Sequence, residues 1–132
     1  MVLVDGAGLP LAIDIDSASP AEVNLIEPLI DEAVVDEVPN RLIYDRAADS
    51  DPLRERLAER GIELICPHRR SRKRPATQDG RPLRRFRRRW IVERTISWLQ
   101  SFRRLATRYE FYSFLFHSFA KLACMMIALR RF

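Results

Sequence analysis

Cysteine and histidine are nearly absent from this sequence: Cys66, Cys124, His68 and His117 are all it has. Two cysteines cannot build a disulfide framework, and none of the four falls at zinc-ligand spacing. Both cysteines read as inert core thiols. Glycine is scarce too, with four residues in a chain that is 47% apolar and 31% charged. Such a composition excludes disorder and low complexity. The opening MVLVDGAGLP is acidic and lacks a basic n-region, so no secretory leader is read there and a cytoplasmic protein is expected. A length of 132 residues suits one domain. One apolar run is long: FYSFLFHSFAKLACMMIAL has 19 residues, against the ~20 needed to cross a bilayer. Lys121 and His117 interrupt it, and charge in mid-membrane is expensive. A helix buried against a sheet is the expectation, with no membrane partner.

Acid is missing from one half of the chain and base from the other. Residues 1–66 hold 5 Arg against 15 Asp or Glu, a net −10, whereas residues 67–132 hold 18 Lys or Arg against 3 acids, a net +15. Part of this asymmetry is absorbed by attraction between the halves. The stretch from His68 to Arg89, with 11 basic residues and Asp79 as its one acid, is too dense for that. It repels itself unless phosphates or counterions neutralise it, which points to a polyanionic partner. Arg accounts for 21 of the 23 basic residues, a bias that coding composition alone could produce.

Along the chain, MVLVDG, a Gly-Leu-Pro turn and LAIDID read as two short strands, joined too tightly for a parallel crossover and therefore antiparallel. Ser19 and Pro20 form a helix-start signal, with Glu22 at the third position, for a helix from about Pro20 to Val35. Pro39 and Asn40 precede a buried strand, RLIYD, ending at Asp45. Ser50 or Asp51 caps a helix that stops at Gly61, and IELIC is a further strand closed by Pro67. Residues 67–82 lack apolar periodicity and read as a basic exposed loop, free to move without its ligand. Two helices fill 83–132, the first from about Leu83 to Arg104 and the second from Phe111 to Phe132. Strands alternating with helices predict an α/β domain with a mixed sheet.

The helix over 83–104 carries the sharpest signal. At about 100° per residue, Phe86, Arg89, Gln100 and Arg104 fall within roughly 40° of Glu93. Ile91, Trp98, Phe102 and Leu105 fall roughly opposite and form the core-facing stripe. Glu93 is the one acid between Gly80 and Tyr109, set in a lane of arginines. On these residues alone it reads first as a plain salt-bridge partner of Arg89 or Arg94. Trp98 reads as core; Trp90 lies between the two faces and is comparable to a base-stacking residue.

Phe86, Arg89, Glu93 and Gln100, with the surrounding WIVERTISWLQSFRRLATRYE, resemble the signature helix of the DDE transposases of bacterial insertion sequences. There the pattern is an aromatic, two residues, Arg, three residues, Glu, six residues, Lys. Phe stands here for the usual Tyr, and Gln for Lys. LIYDRAADSD resembles the strand bearing the family's second catalytic aspartate, which maps to Asp45, with Asp49-Ser50 as the pair downstream. LVDGAGLPLAIDIDSAS resembles the family's second and third strands. The likeness runs from Leu3 to about Arg131 and implies a ribonuclease-H-like mixed sheet flanked by helices, lacking the first strand and the catalytic aspartate on it. Asp5 reads as turn chemistry, and Asp14 or Asp16 as a remote substitute for that acid.

The resemblance implies DNA strand cleavage and transfer with two Mg²⁺ ions, whose hard-oxygen preference suits Asp and Glu. Asp45 and Glu93 would be the catalytic and metal-binding acids. Arg69, Arg70, Arg72, Lys73, Arg74, Arg85, Arg88, Arg89, Gln100 and Arg104 would bind DNA. With one acid missing, the chain is expected to be inactive alone, and Mg²⁺ to bind only in the complete protein. The expected partners are transposon-end and target DNA, and the upstream transposase segment or a second copy. A non-catalytic basic DNA-binding remnant is the alternative.

Overall fold

The computed structural model describes residues 1–16, 21–78 and 80–131, and the helix-start signal at Ser19 and Pro20 lies outside them. The first two strands, β1 (Val2–Val4) and β2 (Pro10–Ile13), form the expected antiparallel hairpin, with Leu3 opposite Ala12. Its turn is closed by Asp5, whose Oδ1 accepts the amides of Ala7 (2.9 Å) and Leu9 (2.7 Å). This is the turn chemistry read for Asp5.

Helix α1 (Glu22–Asp31) buries Ile26, Leu29 and Ile30. It stops four residues short of Val35, and Val34 and Val35 are exposed. Strand β3 (Arg41–Ile43) leads to Asp45, whose carboxylate accepts the amide of Ala47 and opens a 3₁₀ turn over Arg46–Ala48. Helix α2 (Asp51–Glu59) follows and ends at Gly61, at φ +77°, as glycine at a helix end allows. Strand β4 (Glu63–Ile65) runs parallel to β3, with Leu42 opposite Leu64.

The chain is α/β, as expected. The single mixed sheet is not formed, however: among the described residues the strands pair as two separate two-stranded sheets, β1–β2 and β3–β4. Each strand is three or four residues long, and β1 and β3 each lack a partner on their second edge.

The helix expected over 83–104 is in pieces. A short helix α3 (Gly80–Leu83) precedes a 3₁₀ segment, Arg84–Arg89, then α4 (Trp90–Gln100) and α5 (Arg103–Ala106). Five arginines in six residues repel one another, and Phe102, at ψ 116°, bends the chain between α4 and α5. The last helix, α6 (Ser113–Leu129), spans 17 residues, and no helix among the described residues is long and apolar enough to cross a membrane. His117 Nε2 lies 2.8 Å from the Ile13 carbonyl, fastening α6 to β2.

Two clusters form the core. One joins Ile26 and Ile30 of α1 to Leu42, Leu53, Leu57 and Leu64, with Leu3 of β1 against it. The other joins Leu99 of α4 to Ala123 and Ile127 of α6, with Val2 and Ile13 against it. Leu3 and Val2 thus point to opposite faces, as neighbours on a strand must. Trp98 packs in the second cluster, as its place on the apolar stripe required.

Candidate active site and basic face

Asp45 sits where β3 ends, and its backbone is fixed by the Ala47 amide bond to its own carboxylate. Glu93 lies one turn into α4, four residues after Arg89. Arg89 joins them: its Nη2 is 3.5 Å from Asp45 Oδ2 and its Nε is 3.6 Å from Glu93 Oε1. Glu93 is 61% exposed, Asp45 35% and Arg89 37%. Long, half-exposed ion pairs of this kind contribute little stability, so the guanidinium is held loosely. Tyr44, just before Asp45, donates to Glu22 at 3.4 Å. Burial pushes its phenol well above the usual range, helped by the charges of Glu22 and Asp45.

What holds Glu93 in place is its two sequence neighbours. Thr95 is fully buried and donates to the Gly8 carbonyl at 2.7 Å. Arg94 Nη2 donates to the Ala7 carbonyl at 2.6 Å. Its guanidinium lies 4.8 Å from the Trp90 ring centroid and 4.7 Å from that of Trp98. Helix α4 is therefore clamped to the β1–β2 turn. Gly8, at φ +88°, admits the clamp because a Cβ there would stand 2.7 Å from Arg94 Nη2 and 3.1 Å from Thr95 Oγ1.

The basic loop is not free. Asp49, whose side chain is 2% exposed, is its anchor: Oδ1 faces His68 Nδ1 (2.9 Å), Arg54 Nη2 (3.2 Å) and Arg72 Nη1 (3.3 Å), and Oδ2 accepts the Arg69 amide (2.8 Å). Burial would raise its pKa, but these donors outweigh burial and hold it at about 2. His68 Nε2 accepts the Thr77 amide at 3.1 Å, so the proton is on Nδ1, pointing at Asp49. Asp51 adds Arg72 at 2.9 Å and Arg74 at 3.0 Å. Arg69 also reaches back to the carbonyls of Arg46 and Ala47.

Of the expected DNA-contacting residues, Arg85 and Arg88 are exposed beside Arg89 and line one cleft with Asp45. Arg70 and Lys73 are exposed on the loop, while Arg69, Arg72 and Arg74 are paired within the protein. Gln100 is exposed at the end of α4. Arg104 lies beyond the bend, 2.7 Å from Glu110 and over the Phe119 ring, off the Glu93 lane. The 100° count assumed one continuous helix, which the 3₁₀ segment and the bend interrupt.

The family described as Transposase DDE domain matches residues 1–128. This chain belongs to that family. A protein of Burkholderia cepacia, named as a transposase for insertion sequence element IS402, is 35% identical over 139 aligned residues. The alignment covers 96% of this chain and 60% of that relative, so the chain spans well under two thirds of its length. No solved structure matches.

DDE transposases use divalent metal ions. Asp45 and Glu93 offer oxygen ligands of the right class, but they share a guanidinium. Among the described residues no three His, Cys, Asp or Glu gather as a metal site would require. Two carboxylates around Arg89 do not fit a metal pair. Sequence reasoning missed the Asp49 anchor and the Thr95 clamp. The run VERT carried the second signal, since a Thr between apolar positions on a core face needs a partner.

Proposed function

We propose that this chain is the C-terminal portion of an insertion-sequence transposase, with the ribonuclease-H-like fold less its first strand. In this reading it contributes two of the three catalytic acids for DNA strand cleavage and transfer. The observation that carries the reading is Arg89, which gathers Asp45 and Glu93 from elements 48 residues apart in sequence. Family membership supports a role in DNA transposition. Asp45 and Glu93 supply the acid chemistry. Arg89 leaves its loose pairs to take a phosphate, and Arg85, Arg88, Arg70 and Lys73 hold the backbone of transposon-end and target DNA nearby. Mg²⁺ dependence belongs to the complete protein, in which the upstream segment brings the third acid.

The test is a nicking assay on transposon-end DNA with Mg²⁺ or Mn²⁺. The 132-residue chain should not cut; the same chain fused to the upstream transposase segment should. In the fusion, Asp45→Asn or Glu93→Gln should abolish nicking and leave DNA binding within about twofold, because neither change removes a phosphate contact. Variants that cut like the parent overturn the catalytic assignment. A fusion that binds DNA without cutting moves the chain to the non-catalytic DNA-binding reading.

A further inference from the structure

Helix α6 is apolar on two sides. On one, Ala120, Ala123 and Ile127 are buried against the rest of the molecule, and His117 fastens the helix to the Ile13 carbonyl. On the other, Leu115, Ser118, Leu122, Met125 and Leu129 are all exposed. These five recur at intervals of three, four, three and four residues. That alternation is the seam of two helices crossing at about 20°, and it packs on a helix with the same spacing.

The size of this face decides whether it matters. Leu122 and Met125, at its middle, are 51% and 60% exposed. With Phe111 and Phe114 at its head, the seam leaves on the order of 700 Å² of apolar surface in water, above the ~300–600 Å² of the largest patch on a typical monomer. It is also close to the ~800 Å² that each partner gives to a stable complex. A second copy of the chain would bring a seam of equal length and identical spacing.

The two ends of the seam differ, and the difference sets its direction. Its head is aromatic: the Phe111 and Tyr112 rings lie 5.3 Å apart, and those of Tyr112 and Phe114 5.6 Å. Its tail is basic, with Arg130 exposed beside Leu129, and no acid stands between Phe111 and Arg131. Within the chain, arginines already rest on rings of this helix: Arg104 is 4.9 Å from the Phe119 centroid and Arg108 5.5 Å from that of Phe116. An antiparallel copy lays each basic tail on an aromatic head. A parallel copy would set Arg130 against Arg130.

We propose that α6 pairs antiparallel with α6 of a second copy of this chain. Leu122 sits on the two-fold axis against its own counterpart, Leu115 meets the partner's Leu129, and the small Ser118 meets the partner's Met125. Arg130 reaches the partner's Phe114. Such a contact uses the same patch on both copies, so the assembly closes at two. Lys121 flanks the axis on each copy, and the two like charges hold the pair back at low salt. The pairing does not rest on the transposase reading.

Sedimentation equilibrium of the 132-residue chain in the cold tests this. A monomer–dimer equilibrium with no larger species is expected, tighter in 0.5 M than in 0.1 M NaCl because salt screens the Lys121 pair. In 0.1 M NaCl, Lys121→Gln should tighten it about twofold. Leu122→Glu should weaken it at least tenfold with an unchanged circular dichroism spectrum; if that variant does not fold, Met125→Glu replaces it. On mild oxidation, Leu122→Cys chains should link to one another, whereas Leu115→Cys and Leu129→Cys chains should link only when mixed. A chain that stays monomeric, or association that runs past two, overturns the pairing. So does association that weakens with salt, which gives the face to an acidic segment such as residues 32–38 of another copy. Links between two Leu115→Cys chains, or through Cys124 on the packed side, overturn the antiparallel seam. A monomeric fusion with the upstream transposase segment gives the face to that segment and overturns the pairing as well.

Discussion

Single side chains decide two matters here: where the acids meet and where the basic loop lies. Asp45 and Glu93 were legible because their motifs travel with the sequence. Asp49 was legible only as part of a pair, since its partners His68, Arg69 and Arg72 lie about 20 residues away along the chain. Its depressed pKa fixes the sign of a pH effect. The carboxylate ionises more easily folded than unfolded. The stability it confers is present above its ordinary value, near 3.8, and is lost as pH falls through about 2. That span corresponds to about 2 kcal/mol. Asp49→Asn should therefore lower unfolding free energy by about that amount at pH 7, with the difference from the parent shrinking below pH 4. Denaturant titrations at pH 7 and pH 3 measure it; an equal deficit at both removes the anchor role. The thiols make a second residue-scale case. Burial pushes Cys124 up to about 11, and raises Cys66 despite its neighbour Arg54. Both should react slowly with a thiol reagent at pH 7.5 in the folded chain, and rapidly in denaturant.

At the scale of elements, the hairpin, β3, α2 with its Gly61 stop, and β4 of the first 66 residues followed from turn residues and short apolar runs, although Ser50 stands at the start of α2 without a side-chain cap bond. The C-terminal half was harder to read. Apolar spacing across 83–104 fits one helix, yet Arg84–Arg89 is a 3₁₀ segment and Phe102 bends the chain, and apolar spacing by itself records neither the repulsion among the arginines nor the packing of Phe102 with α6. The clamp of α4 on the hairpin is the element-scale feature that places Glu93. Thr95→Val leaves the Gly8 carbonyl without its buried donor and should cost about 1–3 kcal/mol. Gly8→Ala meets both a left-handed backbone and the Arg94 guanidinium, and should cost a similar amount. In the fused, active protein both variants should slow nicking more than they weaken DNA binding, because the helix carrying Glu93 is displaced. Thermal melts together with nicking rates test this; a Gly8→Ala protein as stable as the parent dismisses the clamp.

For the whole molecule, the acidic and basic halves do attract each other. Asp45–Arg89, Asp49–Arg72 and Asp51–Arg74 each cross between them. Arg84, Arg85, Arg87 and Arg88 remain exposed, so a strong positive face survives. The chain should bind duplex DNA with little sequence preference, and its affinity should fall steeply with salt. Salt-independent binding, or none at low salt, contradicts this. Two-stranded sheets are marginal by themselves, and Phe111, Leu129 and Phe114 are 88%, 72% and 63% exposed. The isolated chain should therefore melt over a broad range and associate on heating. A sharp, reversible transition of a clean monomer would show that the two half-sheets are sufficient as they stand.

The clamp also has a consequence in time. Thr95 and Gly8 are 87 residues apart, and a ribosome adding about 5–20 residues per second takes roughly 4–17 s to make the second after the first. Throughout that interval the hairpin exists without the helix that seats it, its outer edge open to any strand nearby. Nascent chains arrested with 1–89 emerged should be cut by protease within the hairpin, and those arrested with 1–110 emerged should resist. The order of synthesis thus leaves the hairpin waiting for a helix residue made 87 positions later.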